Sequence, residues 1–169
     1  VNYGKGRRPV GASTITQQVT KNFLLTNEVS IERKIKEAIL SLRMERAFSK
    51  DQILALYLNE IYLGRGSYGV AAAALNYFDK SLGQLELPEI AYLAALPKAP
   101  NNYHPVRNLR AATIRRNWVL DEMQQNGYIS QNEADAAKAV PLRMIGQSGF
   151  DAAEAPYFTE EVRRQLISR

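Results

Sequence analysis

The sequence of 169 residues contains no cysteine and a single histidine. The absence of cysteine excludes thiol catalysis, zinc sites built on thiolates and a disulfide framework. No stretch approaches the ~18 consecutive apolar residues of a membrane-spanning helix, and the first residues lack the apolar segment of a signal peptide. The length suits one domain that buries its core without help from a metal or a disulfide. Because the chain also begins without methionine, we expect it to be a fragment of a longer protein.

Positive charge is concentrated in the first third of the chain. Residues 1–50 contain 10 Lys or Arg and 4 Asp or Glu, a local net charge of +6, whereas residues 51–169 contain 12 and 13, a net charge of −1. Such a basic block favours an anionic partner, such as nucleic acid, a lipid headgroup or a phosphorylated substrate. On charge alone, a solvated basic surface is an equally good explanation.

Helix-capping signals and apolar residues at helical spacing predict an all-helical protein. A hydroxyl residue followed three residues later by Gln or Glu, the pattern of a capping box, occurs at Thr14, Ser49 and Ser130. Pro88 suits the first position of a helix, and Gly127 suits the position just past one. Helices are predicted over residues 14–25, 30–47, 50–63, 68–78, 88–96, 109–126 and 131–139.

After about Val140 the sequence becomes richer in turn-forming residues and loses its helical apolar period. Pro141, Gly146, Ser148 and Gly149 follow without a clear apolar period. We therefore predict a domain over residues 1–140 and an irregular connector over residues 141–169.

The predicted helix over residues 30–47 carries a carboxylate in an unusual position. Its apolar residues form one stripe at helical spacing: Ile31, Ile35, Ala38, Ile39 and Leu42. Glu37 lies on the other side, together with Leu40 and Met44. We therefore expect the helix to be covered on two sides and Glu37 to be partly desolvated, a cost that Arg33, Lys34 or a substrate would offset. A surface Arg33–Glu37 pair, worth roughly a few tenths of a kcal/mol, is the simpler alternative.

A helix start follows the basic cluster directly. Residues 11–18 have the sequence Gly-Ala-Ser-Thr-Ile-Thr-Gln-Gln. Backbone N–H groups and the positive end of the helix dipole suit a phosphate there, and Gln17, Gln18 and Lys21 can add donors. Plain capping by Ser13 or Thr14 is the alternative.

Two other patterns suggest chemistry that their context does not support. Residues 64–69 have the spacing Gly-x-Gly-x-x-Gly of a dinucleotide-binding turn, but a predicted helix precedes them where that turn needs a strand. His104 lies in a proline-rich loop without a nucleophile motif nearby, which predicts a packing or surface role rather than a catalytic triad.

Five segments along the chain together form a recognisable series of motifs. They are residues 11–18, Arg33-Lys34-x-x-Glu37, residues 50–59 (Lys-Asp-Gln-Ile-Leu-Ala-Leu-Tyr-Leu-Asn), residues 64–70 (Gly-Arg-Gly-Ser-Tyr-Gly-Val) and residues 96–101 (Leu-Pro-Lys-Ala-Pro-Asn). In these segments the chain resembles the peptidoglycan glycosyltransferases, the polymerising half of class A penicillin-binding proteins. The resemblance spans roughly residues 1–139, and five motifs in register make it specific. Residues 155–158, Ala-Pro-Tyr-Phe, resemble the start of the connector to a transpeptidase domain, which the chain does not contain.

The resemblance implies an all-α, lysozyme-like fold and the polymerisation of lipid II into glycan strands, with undecaprenyl pyrophosphate as the leaving group. It implies that Glu37 is a catalytic carboxylate. The substrate-binding residues that it implies are Ser13, Thr14, Gln17, Gln18, Lys21, Asn22, Arg33, Lys34, Lys98 and Asn101. Cationic donors suit this reaction because negative charge develops on the leaving pyrophosphate. No cofactor is required, and no metal-ligand cluster is visible, although a divalent ion bridging Glu37 and a pyrophosphate is compatible with the pattern.

For the intact protein, the resemblance implies lipid II, the growing glycan strand and other cell-wall synthesis proteins as partners, and inhibition by moenomycin. It also implies a membrane anchor helix upstream and a place in the bacterial cell envelope, at the periplasmic face of the inner membrane or the outer face of the cytoplasmic membrane.

The chain departs from the family pattern at two points. The opening motif of the family, Glu-Asp-x-x-Phe-x-x-His, is absent, and its Glu is the proposed general base. Val29 stands where many relatives carry Arg, so one phosphate contact is in doubt. We therefore expect this chain alone to polymerise weakly or not at all.

Two further alternatives remain at this stage. A glycan-cleaving, lysozyme-like enzyme also works through a carboxylic acid, but it has no need of a cation cluster for pyrophosphate. The cluster therefore favours synthesis; its members are Lys21, Arg33, Lys34 and Lys98. A nucleic-acid-binding module would use aromatic residues beside the basic block, and the chain has nine tyrosines. Tyr57 and Tyr77 fall within apolar helical runs, however, so we expect no nucleic-acid partner.

Overall fold

The computed structural model describes residues 13–24 and 31–144. These residues form seven α-helices: α1 (Ile15–Leu24), α2 (Ile31–Ala47), α3 (Lys50–Glu60), α4 (Val70–Phe78), α5 (Leu87–Ala95), α6 (Leu109–Gln125) and α7 (Gln131–Ala139). Two short 3₁₀ helices, Leu82–Gln84 and Leu96–Lys98, flank α5. Within the described residues there is no β-strand, which confirms the predicted all-α class, and no helix there is long and apolar enough to cross a bilayer.

The three predicted capping boxes are all present. At the start of α3, the Ser49 hydroxyl accepts from the Gln52 backbone N–H at 3.2 Å, and the Gln52 side chain accepts from the Ser49 N–H at 2.8 Å. Thr14 forms the same reciprocal bonds with Gln17. At α7, hydrogen bonds from the Ser130 backbone N–H and hydroxyl hold the pKa of the Glu133 carboxyl below its usual value. Local chemistry therefore fixes where these helices begin.

The connection between α3 and α4 differs from the prediction. Helix α3 ends at Glu60, three residues early, and residues 61–69 form a tight hairpin in which Tyr62 and Tyr68 make an antiparallel bridge. Gly69 has φ of 80°, and a Cβ there would lie 2.3 Å from the Asn59 carbonyl oxygen. The glycines therefore permit a close turn between two helices. The prediction that a helix, and not the strand of a dinucleotide-binding turn, precedes them is confirmed.

The main core lies between α4 and α5. The Tyr77 and Tyr92 rings meet edge to face with centroids 5.7 Å apart, and both side chains are fully buried. Leu142 and Met144 pack into the same core. The first residues of the predicted connector therefore belong to this packing. The boundary near Val140 stays a prediction, because residues 145–169 lie outside the described part of the chain.

Arg116 joins α6 to the end of α7. Its side chain is buried and donates to the backbone carbonyls of Val140 at 2.7 Å and Lys138 at 3.1 Å. Two further bonds go to the Asn117 side chain. The guanidinium thus satisfies carbonyl groups that the end of a helix leaves unpaired.

Helix α2 packs against α1 and α3, and it buries the Glu37 side, one of the two sides that were predicted to be covered. Its aliphatic residues are exposed: Ile31 by 81%, Leu42 by 59%, Ile35 by 56% and Ile39 by 48%. Glu37 and Ser41, by contrast, are buried. The prediction that the apolar stripe packs inward, and that the helix is covered on two sides, is therefore wrong for the described residues. The reason is that α1 meets α2 through hydroxyl groups on the Glu37 side.

Candidate active site

The buried carboxylate of Glu37 is the centre of the predicted site. Its side chain is 2% exposed, and both of its oxygens accept from the Lys34 ammonium, at 2.9 and 3.0 Å. Lys34 lies one helical turn earlier on α2, so the i,i+3 spacing brings the two groups together. A buried carboxylate needs such a partner to remain charged. The expectation of a desolvated Glu37 offset by a nearby cation is therefore confirmed, with Lys34 as the cation, while Arg33 lies half-buried on the same helix.

Hydroxyl groups line the contact between Glu37's helix and α1. Ser41 Oγ donates to the Glu37 carbonyl oxygen at 2.7 Å and lies 3.3 Å from Thr20 Oγ1 on α1. Thr20 Oγ1 in turn donates to the Thr16 carbonyl at 2.8 Å. Sequence analysis missed Thr20 and Ser41. The available signal was that Ser41 falls one turn after Glu37 on the same side of α2.

The predicted binding residues of α1 lie at its start and along its outer side. Thr14 and Gln17 cap the helix through each other, which confirms the plain-capping alternative, and Gln18 Nε2 lies 3.5 Å from the Ser13 carbonyl oxygen. The Gln17 side chain uses its oxygen in the cap, so its amide N–H groups remain available as donors. Anion binding by this helix start stays a prediction.

The remaining two donors of α1 sit further along the helix. Lys21 and Asn22 are exposed, whereas Thr16 and Thr20 point into the protein. Thr20 directly precedes Lys21, so the buried contact with α2 lies next to the exposed cation.

Lys98 and Asn101 lie in a different part of the fold. Lys98 ends the 3₁₀ helix after α5, Asn101 follows in a turn, and both are exposed. No hydrogen bond or ion pair among the described residues joins either of them to α2. Their membership of one site with Glu37 therefore stays a prediction.

Two cavities among the described residues lie away from Glu37. One, of about 640 Å³, lies between the start of α1, the end of α2 and the start of α3, and is lined by residues including Thr16, Phe48 and Asp51. The other, of about 280 Å³, is apolar and lies between α3, α4 and α5, with Leu58 and Leu93 in its wall. None of the predicted site residues is among the residues that line these two cavities.

His104 and the acidic residues offer no competing centre. His104 Nδ1 accepts from the backbone N–H groups of Val106 and Arg107 at 3.2 and 3.4 Å, so the ring stabilises its own loop, as predicted. Burial, with Arg107 and Arg65 nearby, lowers its pKa. Within residues 13–24 and 31–144, no three His, Asp or Glu side chains lie together as metal ligands would.

The described residues thus form an all-helical domain in which a buried helix carboxylate lies on a helix that packs against a second helix bearing exposed cations and amides. The family model described as Transglycosylase matches residues 1–124. The chain belongs to the transglycosylase family.

Individual relatives agree with this assignment. Penicillin-binding protein 1A of Rickettsia conorii is 52% identical over 166 residues, which is 98% of this chain and 21% of that protein. Penicillin-binding protein 1A of Escherichia coli is 45% identical over 164 residues, covering 97% and 19%. The crystal structure of penicillin-binding protein 1A from Haemophilus influenzae matches with a TM-score of 0.57 and 39% identity, covering 96% of this chain and 21% of that one.

These findings confirm the family and the fold class predicted from the sequence. They do not favour a glycan-cleaving enzyme or a nucleic-acid-binding module. The chain spans about a fifth of the length of the curated relatives it matches.

Proposed function

We propose that the chain belongs to a peptidoglycan glycosyltransferase that polymerises lipid II and releases undecaprenyl pyrophosphate. The observation that carries the proposal is the buried Glu37 carboxylate, which is held by Lys34 on a helix that packs against α1, the helix that carries the predicted donors. Membership of the transglycosylase family supports the same reaction class.

The charges of the site suit the chemistry of this reaction. Bond cleavage at the sugar–phosphate bond leaves negative charge on the pyrophosphate oxygens, and cations fixed beforehand stabilise that charge more in the transition state than in the ground state. Lys34 and Lys21 are exposed and can reach a bound anion, whereas Glu37 is held inside. Glu37 is thereby suited to act on the sugar or pyrophosphate side, alongside a second carboxylate that would serve as general base.

For the intact protein we propose the partners and location that follow from this reaction. Its substrates are lipid II and the growing glycan strand. It acts at the membrane surface of the cell envelope, on the periplasmic face of the inner membrane or the outer face of the cytoplasmic membrane. It cooperates there with other cell-wall synthesis proteins. No cofactor is needed for the electrostatic part of the mechanism, and a divalent ion between Glu37 and the pyrophosphate is an optional addition.

The decisive experiment incubates the intact protein that carries this chain with fluorescently labelled lipid II and separates the products on a gel. We expect a ladder of glycan polymers that moenomycin abolishes. The same protein should leave preformed glycan strands uncut and should not shift nucleic acid at physiological salt. Absence of polymer, or cleavage of preformed strands, would exclude the proposed function.

A further inference from the structure

Two buried hydroxyl side chains connect α1 and α2 beneath the proposed substrate-binding surface. Thr20 is fully buried and Ser41 is 6% exposed, and their oxygens lie 3.3 Å apart. On α1 the Thr20 hydroxyl bonds the Thr16 carbonyl, and on α2 the Ser41 hydroxyl bonds the carbonyl of Glu37. The connection therefore ends on the backbone of the candidate catalytic residue.

The hydrogen-bonding capacity of this connection is limited. Two hydroxyl protons serve three contacts: Thr20 to Thr16, Ser41 to Glu37, and Ser41 to Thr20. If both protons pointed to backbone carbonyls, two hydroxyl oxygens would face each other across 3.3 Å without a proton between them. A Ser41 proton shared between the Glu37 carbonyl and Thr20 Oγ1 removes that repulsion. Ser41 then bonds within α2 and across to α1 at once.

This contact lies close in sequence both to the donors of α1 and to the Glu37–Lys34 pair of α2. Thr20 directly precedes Lys21 and lies one turn after Gln17, and Ser41 lies one turn after Glu37. Each helix moves as a rigid unit over one or two turns, so a shift at the contact changes the distance between the α1 donors and the Glu37–Lys34 pair. A misplacement of about 1 Å is enough to lower an enzyme rate about a hundredfold.

We propose that Thr20 and Ser41 are positioning residues, which fix the donors of α1 relative to the Glu37–Lys34 pair. This inference rests on the proposed function. It concerns residues that touch neither substrate nor reacting atoms, so their removal should change the rate of the reaction through geometry alone.

The test compares Thr20→Val, Ser41→Ala and the double variant in the intact protein, with labelled lipid II as substrate and at a temperature where circular dichroism shows every variant folded. Each single variant should lower kcat about tenfold with little change in KM, because the lost alignment matters in the transition state. The double variant should be no slower than the slower single variant. Thr20→Ser, which keeps the hydroxyl, should recover most of the rate.

Ser130→Ala is the matched control, because it deletes a serine hydroxyl from the capping box of α7. It should lower the unfolding midpoint and leave kcat and KM unchanged. Unchanged kcat in the folded Thr20 and Ser41 variants, losses that multiply in the double variant, or no recovery with Thr20→Ser would overturn the positioning role. A wild-type protein that makes no polymer would instead refute the proposed function, and the positioning role with it.

Discussion

Glu37 and Lys34 form an ion pair in which the carboxylate is buried and the ammonium group is exposed to solvent. Both carboxylate oxygens lie within 3.0 Å of the Lys34 ammonium, yet the Lys34 side chain is 55% exposed and that of Glu37 only 2%. The cation can therefore meet an incoming anion while the carboxylate stays enclosed.

Replacing Glu37 with glutamine keeps the shape of the side chain and removes its charge and basicity. We expect glycan polymerisation by the intact protein to fall at least about a hundredfold in kcat, which is the usual contribution of an acid or base. Glu45→Gln, at an exposed position of the same helix, should retain nearly full activity. Full activity of the Glu37→Gln protein in the gel assay would remove Glu37 from the mechanism.

Replacing Lys34 with methionine leaves a buried carboxylate without its counter-charge. We expect the free energy of unfolding in urea to fall by about 1–2 kcal/mol, less than for a fully buried pair because Lys34 is half exposed. Lys36→Met is the matched control, since the Lys36–Glu32 pair on the same helix is exposed on both sides. It should leave the unfolding free energy almost unchanged. Equal effects of the two substitutions would mean that the burial of Glu37 carries no electrostatic penalty.

Two glycines of the 61–69 hairpin should differ in their tolerance of alanine. At Gly66, with φ of 71°, an added Cβ meets open space, so only backbone strain of about 1 kcal/mol is expected. At Gly69 the added Cβ would lie 2.3 Å from the Asn59 carbonyl oxygen, so the end of α3 must shift. We expect Gly69→Ala to lower the unfolding free energy by at least about 3 kcal/mol in urea titrations. Similar values for the two variants would show that the hairpin adapts at no cost.

The stability of the core should depend on Tyr77 at high pH. Burial raises the pKa of the Tyr77 hydroxyl to about 12, with Arg65 acting in the opposite direction. In the unfolded chain the same group loses its proton near its ordinary value of 10. The folded state therefore binds more protons in this window, and stability is full below about pH 10 and falls as the pH rises towards 12.

The variant Tyr77→Phe isolates that contribution. It loses the hydrogen bond of 2.8 Å to the Leu63 carbonyl, so it should be about 1 kcal/mol less stable at pH 8. Between pH 10 and 12 its unfolding free energy should fall less steeply than that of the wild type, because the Tyr77 hydroxyl no longer contributes. Some fall should remain, because burial also raises the pKa of Tyr92. If the curves of unfolding free energy against pH ran parallel for the two proteins, Tyr77 would not be the source of the pH dependence.

Local sequence chemistry predicted the helices well because their starts depend on neighbours three residues apart. Thr14, Ser49 and Ser130 each cap a helix with a partner inside the same turn. The shortened end of α3 could not be predicted, because it depends on the approach of Gly69 to Asn59. Arg116 was missed for the same reason: its partners lie 22 and 24 residues away.

The site was predictable to a similar degree. The motif order pointed to Glu37 and Lys34, and the i,i+3 spacing accounts for their contact. The orientation of α2 was not predictable from its apolar period, because its buried side is set by Thr20 on another helix. Hydrophobic periodicity identifies the two sides of a helix but cannot tell which of them the rest of the protein covers.

We expect the exposed aliphatic side of α2 to lower the solubility of the chain. Four large aliphatic side chains are exposed along one helix, and an exposed apolar patch of this kind promotes self-association. Glutamine at Ile31 and Ile35, both more than half exposed, should raise solubility in a concentration series without lowering the unfolding free energy. One side of α2 thus buries the candidate catalytic carboxylate, and its other side is expected to limit the solubility of the chain.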